Sequence, residues 1–164
     1  MNWVTLEPHE IFLASQVGVL RRYTSIADGM KDRAGRKMDF SADIDGAAGE
    51  MAFAKGMNLY WSGGNKTFSV PDVGIVEVKT ARSSVELPVY EHIPDDRIVA
   101  LVFGNMPKFR IVGWIYAKDA KKIVPLSNKG LGYQSAHFVT EDKLRPIQEL
   151  KNILNSINNK EDEW

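Results

Sequence analysis

The chain has 164 residues, 44% of them hydrophobic and 26% charged, which is the balance of one globular domain with enough chain to bury a core. Lys+Arg and Asp+Glu stand at 21 each, so the formal net charge is zero. A polycationic nucleic-acid coat is thereby excluded, and any grip on phosphate must come from a local patch. Cysteine is absent, which excludes disulfides, thiolate zinc sites and cysteine nucleophiles and fits a reducing compartment.

The opening Met1-Asn2-Trp3-Val4-Thr5-Leu6-Glu7 lacks the basic start and apolar stretch of a secretory signal. The longest apolar runs, 98 to 103 and 111 to 117, fall short of the roughly 20 residues that cross a bilayer. A soluble, cytoplasmic protein without membrane contact is expected. Residues 8 to 26 read as a first helix, with Pro8 near its start and Phe12, Val19, Tyr23 and Ile26 along one face. Between positions 21 and 37 the chain carries six basic residues (Arg21, Arg22, Lys31, Arg33, Arg36 and Lys37) against two acids, Asp28 and Asp32, a local excess of +4. Little apolar content follows Ala27, so a loop is expected there before a second helix over 45 to 58. The small residues of that helix (Gly46, Ala47, Ala48, Gly49, Ala52 and Ala54) suit close packing against a sheet.

A turn at Ser62-Gly63-Gly64-Asn65 leads to strands over 67 to 70, 75 to 80, 98 to 103 and 111 to 117, interrupted at Pro71-Asp72-Val73-Gly74 and Gly104-Asn105-Met106-Pro107. The last two strands are apolar on both faces and belong in the centre of a covered sheet. Beyond Lys118 the pattern weakens to a short strand at 137 to 139, an amphipathic helix over 143 to 157 and a frayed acidic end. These elements make an α/β or α+β domain spanning 1 to 164: an N-terminal helix and basic loop (8 to 44), a core (45 to 117) and a C-terminal strand and helix (118 to 158).

The chemistry concentrates between Glu50 and Lys79. Along Ile75-Val76-Glu77-Val78-Lys79-Thr80 the side chains alternate, so Val76 and Val78 share one face while Glu77 and Lys79 share the other. Asp72 sits on the turn immediately before this strand. Two carboxylates and an ammonium group can therefore converge on one strand edge. Glu50 falls within the stripe Ala47, Glu50, Met51, Ala54 and Met57 of the second helix, on the face expected to meet the sheet. A buried carboxylate needs a cation, a proton or a hydrogen-bond donor, and a divalent metal shared with Asp72 and Glu77 would satisfy it. Oxygen ligands without His or Cys favour Mg²⁺ or Mn²⁺ over zinc. Metal-assisted phosphodiester hydrolysis is the reaction these parts fit.

Pro71-Asp72 followed by Glu77-Val78-Lys79 resembles the signature of the PD-(D/E)xK nuclease superfamily, and Glu50 on a preceding helix matches the additional acid that many members carry. The runs Gly49-Glu50-Met51-Ala52-Phe53, Glu77-Val78-Lys79-Thr80 and Gly113-Trp114-Ile115 are also similar to small proteins encoded by phages and mobile elements. The resemblance implies a restriction-endonuclease-like core, with a central mixed β-sheet flanked by helices. It implies Asp72 and Glu77 as metal ligands, Lys79 as the catalytic lysine and Glu50 as a further metal ligand or an orienting group. The implied activity is Mg²⁺-dependent hydrolysis of DNA, in preference to RNA, by a metal-activated water. No Gln-x-x-x-Tyr follows Lys79, which favours endonucleolytic or structure-directed cutting over processive exonuclease action.

Nucleic-acid contact would fall to Arg21, Arg22, Lys31, Arg33, Arg36 and Lys37, with Arg82 assisting at the active edge; the same basic segment also reads as an ordinary solvated loop. Homodimerisation would lengthen a positive groove. His9, His92 and His137 lack metal spacing and read as surface or packing residues, and Tyr60 and Trp61 fit either core or substrate contact. Two other classes remain open: a non-catalytic nucleic-acid-binding or assembly protein that retains the nuclease fold, and a structural protein in which Glu50, Asp72, Glu77 and Lys79 form an ion network.

Overall fold

The computed structural model describes residues 3–28, 40–64, 70–129 and 134–161. In chain order the elements are β1 (Trp3–Thr5), α1 (Pro8–Ala27), α2 (Ser41–Met57), β2 (Val76–Ala81), β3 (Glu86–Val89), β4 (Ile98–Asn105), β5 (Lys108–Tyr116), α3 (Ala117–Ile123), β6 (Leu126–Ser127), β7 (Ala136–Thr140) and α4 (Ile147–Glu161). Four strands form a mixed sheet in the order β1-β5-β4-β2, with β2 parallel to β4 and the other pairs antiparallel. A second, antiparallel sheet runs β3-β7-β6. The class is therefore α+β with a mixed central sheet, as the sequence predicts.

The central sheet is covered on both faces. On one, Val76, Val78, Ile98, Ala100, Val102 and Trp114 pack with α1, α2 and α4. On the other, Val99, Leu101 and Ile115 meet Leu87, Val89 and Val139 of the small sheet and Ala117 and Ala120 of α3. The strands β4 and β5 lie in the centre, as their unbroken apolar runs require. Helix α2 is buried around most of its circumference because α1 covers one side and the sheet the other; every residue from Ala47 to Ala54 is buried. Its small side chains permit this approach. A Cβ added at Gly49 would lie 1.9 Å from Thr80 Oγ1 on β2. Gly49→Ala is accordingly expected to destabilise the fold by about 1–3 kcal/mol through overpacking, read as a lower urea midpoint.

Several boundaries differ from the sequence reading for definable reasons. Helix α2 starts at Ser41 rather than 45, so the predicted loop gives up residues 41 to 44, while 29–39 lie outside the described residues. The predicted strand over 67 to 70 lies largely outside them too, and Val70 sits in a bend. The strand β3 contains Pro88, which weakens a strand signal but is tolerated at the edge of the small sheet. The apolar run Ile115-Tyr116-Ala117 crosses from β5 into α3 without a break in composition. The terminal helix begins at Ile147 rather than 143, because Pro146 biases Arg145 toward extended backbone; Arg145 instead bridges to Trp114.

Arg110 of β5 donates from Nη1 and Nη2 to Glu141 at 2.6 and 3.0 Å, tying the sheet to the chain after β7. That hydrogen bond holds the Glu141 carboxyl below its ordinary range. A depressed folded pKa gives stability that is present above the unfolded value and lost as pH falls through the folded one. Glu141 is about half exposed, so solvent screens the pair and Arg110→Ala is expected to cost about 1 kcal/mol at pH 7, with the difference from wild type shrinking below about pH 4 in urea melts.

Candidate functional site

A tight turn sets the site. Val73 and Val76 exchange backbone hydrogen bonds of 3.0 and 2.9 Å around Gly74, whose φ of 56° suits glycine at the first central position of a hairpin turn. The turn folds Asp72 back along β2, where its Oδ2 accepts the Val78 N–H at 2.8 Å. Asp72 is buried, and among the described residues β2 is the end strand of its sheet. The carboxylate thus lies against the strand at the position between Glu77 and Lys79. Those two side chains project from the face opposite Val76 and Val78 and pair with each other, Lys79 Nζ to Glu77 Oε1 at 2.6 Å, both partly exposed. Their partners in register, Val99 and Leu101, belong to the apolar layer beneath the small sheet, so the ion pair stands at its rim.

Glu50 occupies the other face of the sheet. It is 2% exposed on α2, as its place in an apolar stripe predicts. Its two oxygens accept Arg21 Nη1 and Nη2, each at 2.9 Å, and Trp61 Nε1 donates to Oε2 at 3.2 Å. Arg21 also donates to Gly64 O at 3.2 and 3.3 Å. The Trp61 indole, ambiguous in sequence, is therefore a hydrogen-bond donor to Glu50, whereas Tyr60 is exposed. A cavity of about 440 Å³ opens beside the pair, lined by Arg21, Asp43, Asp45, Glu50, Lys79 and Arg82.

The structure thus groups Asp72, Glu77 and Lys79 along one strand edge and brings Lys79 and Glu50 to one cavity. Among the described residues, no three Asp, Glu or His side chains stand close enough to hold one ion. The counter-charge of Glu50 is Arg21, reached across 29 positions of sequence, because a planar guanidinium satisfies both carboxylate oxygens at once. The sequence suggests Arg21 as a phosphate-binding residue; the structure instead pairs it with Glu50. The available signal was its spacing from Ala14 and Gly18, the buried stripe of α1.

Arg22 and Arg82 are likewise engaged with α2, pairing with Asp43 and Asp45 at 2.6 Å each; Arg82 keeps about half its side chain exposed. Lys31, Arg33, Arg36 and Lys37 lie outside the described residues. His137 is buried with Nδ1 2.6 Å from Val124 O and Nε2 against Glu91, His92 stacks on Tyr90, and His9 is exposed, in line with packing and surface roles. An all-carboxylate donor set suits a hard divalent cation rather than zinc. No helix of the described residues is long and apolar enough to cross a membrane. Comparison with protein-family models, with curated proteins and with solved structures finds no match to this chain.

Proposed function

We propose that the chain is a Mg²⁺- or Mn²⁺-dependent nuclease of the PD-(D/E)xK type that hydrolyses phosphodiester bonds of DNA, endonucleolytically or at branched structures. The observation that carries this reading is the return of Asp72 onto the Val78 N–H, which sets a carboxylate on β2 between the positions of Glu77 and Lys79. Asp72 and Glu77, joined by Glu50 if Arg21 releases it, would hold the ion, which when bound supplies an activated water and neutralises charge developing on the phosphate. Lys79 presents its ammonium to the phosphate or to the attacking water, a role that requires it to swing from Glu77. The Glu77 carboxylate would then be held by the bound cation, which offsets the cost of opening that mostly buried pair. Arg82, half exposed at the cavity and paired there with Asp45, would take a neighbouring phosphate.

The bidentate Arg21–Glu50 pair favours a second reading for Glu50 alone: a structural ion pair that fastens α1 to α2, with no part in catalysis. A cleavage panel of supercoiled, linear, single-stranded and branched DNA, each with Mg²⁺, Mn²⁺ or EDTA, tests the proposal. Wild-type protein should cut with either metal and fail in EDTA. Asp72→Asn retains an acceptor for the Val78 N–H but loses the charge, and its rate should drop by about 10²-fold or more. Cleavage that persists in EDTA, or an Asp72→Asn variant working at the wild-type rate, contradicts the assignment.

A further inference from the structure

The apolar face that sequence periodicity marks on α1 is turned outward. Phe12 is 61% exposed, Leu13 51%, Val19 44%, Leu20 54%, Tyr23 66% and Ile26 45%. The helix buries Ala14 and Gly18 against α2 instead. From Phe12 to Ala27, every exposed position of this helix is uncharged. Phe12, Gln16, Val19, Tyr23 and Ile26 recur at intervals of four and three, the seam spacing of helix against helix, with Leu13 and Leu20 beside them. Single exposed hydrophobic residues are ordinary, but a continuous stripe over four turns marks an interaction surface.

We infer that this face of α1 is the contact surface of a homodimer, in which α1 packs antiparallel against α1 of a second copy across a twofold axis near Val19. Three observations select that occupant. The first is area: the exposed parts of the six large side chains amount to on the order of 600 Å² per copy, so pairing two copies removes about 1,200 Å², the lower bound of a specific interface. The second is shape. The ridge of α1 is itself one wall of a mostly apolar groove of about 1190 Å³, lined opposite by Phe40, Met51, Leu59 and Trp61, in which the charges of Glu10 and Lys55 neutralise each other. A ridge next to a parallel groove is self-complementary under twofold rotation, because each copy's ridge enters the other's groove.

The third observation is charge. A membrane-surface helix flanks its apolar face with free Lys and Arg, whereas Arg21 and Arg22 are drawn inward to Glu50 and Asp43 with about 12 and 13% of their side chains exposed. Nor does the chain's own stretch 29–39 match the face, having six charged residues among eleven. An uncharged stripe is matched by another uncharged stripe, which a second copy supplies.

The test uses the full chain. Multi-angle light scattering or sedimentation at about 50 μM, far above the dissociation constant of a standard-size interface, should return twice the 18.4 kDa of one chain. Leu20→Glu, at an exposed position, should keep the far-UV circular dichroism of the wild type and weaken association by about 100-fold or more, giving monomer. Because the chain has no cysteine, Val19→Cys is a clean reporter and should form a disulfide-linked dimer under mild oxidation. This second variant decides the matter should Leu20→Glu fail to fold. A wild-type monomer at that concentration overturns the inference, as does a monomer that floats with anionic vesicles. A dimer that survives Leu20→Glu, with no cross-link through Val19→Cys, also overturns it by placing the interface elsewhere.

Discussion

Lys79→Ala is expected to lower metal-dependent DNA cleavage by about 10²–10³-fold while leaving the fold intact. The two halves of that expectation rest on different features. Stability should fall by about 1–2 kcal/mol, because the ammonium pairs with Glu77 in a site where only 24 and 18% of the two side chains are exposed, and its removal strands a carboxylate that keeps some access to water. Activity should fall steeply because no other ammonium or guanidinium is placed on β2 beside Asp72 and Glu77. A nicking assay with Mg²⁺, read alongside a urea melt, separates the two. A variant that cuts at half the wild-type rate removes Lys79 from the chemistry and leaves Glu77–Lys79 as a solvated pair on a strand.

The second large effect is on stability. Glu50→Ala takes both hydrogen bonds from a guanidinium that is itself mostly buried, leaving Arg21 with Gly64 O and the Trp61 indole without its acceptor. Removing one member of a buried ion pair costs about 3–5 kcal/mol, enough to lower the urea midpoint clearly. Arg21→Ala should cost a similar amount, and the double variant less than the sum, since the second substitution removes the charge that the first left stranded. Divalent metal discriminates the two roles of Glu50. If it can serve as a ligand, Mn²⁺ should raise the melting temperature of Arg21→Ala more than that of wild type, because the freed carboxylate then gains a cation. Equal shifts assign Glu50 to fastening α1 onto α2.

The parts of the site that follow local rules were legible in the sequence. Alternation along β2 correctly separates Val76 and Val78 from Glu77 and Lys79, and helical spacing correctly buries Glu50. Strands β4 and β5, apolar on both faces, were central for the reason expected. What depends on distant pairing was not legible. The Arg21–Glu50 contact joins two helices 29 positions apart, and a basic residue on α1 looks equally suited to phosphate or to a buried acid. Periodicity also identifies an apolar face without saying what covers it. On α1 two stripes compete: the small residues Ala14 and Gly18 allow the closer approach to α2, and the larger stripe of Phe12, Val19, Tyr23 and Ile26 is left outward. The return of Asp72 onto Val78 depends on the Gly74 turn, whose positive φ the sequence permits but does not dictate.

The most direct measurement is titration calorimetry of Mn²⁺ into the purified full chain, without DNA, for wild type, Asp72→Asn and Glu77→Gln. Shared ligation by Asp72 and Glu77 predicts saturable binding to wild type that each substitution weakens by more than about tenfold. No binding to wild type at millimolar Mn²⁺, or an affinity that both variants retain, would contradict a metal-dependent nuclease built on this strand edge.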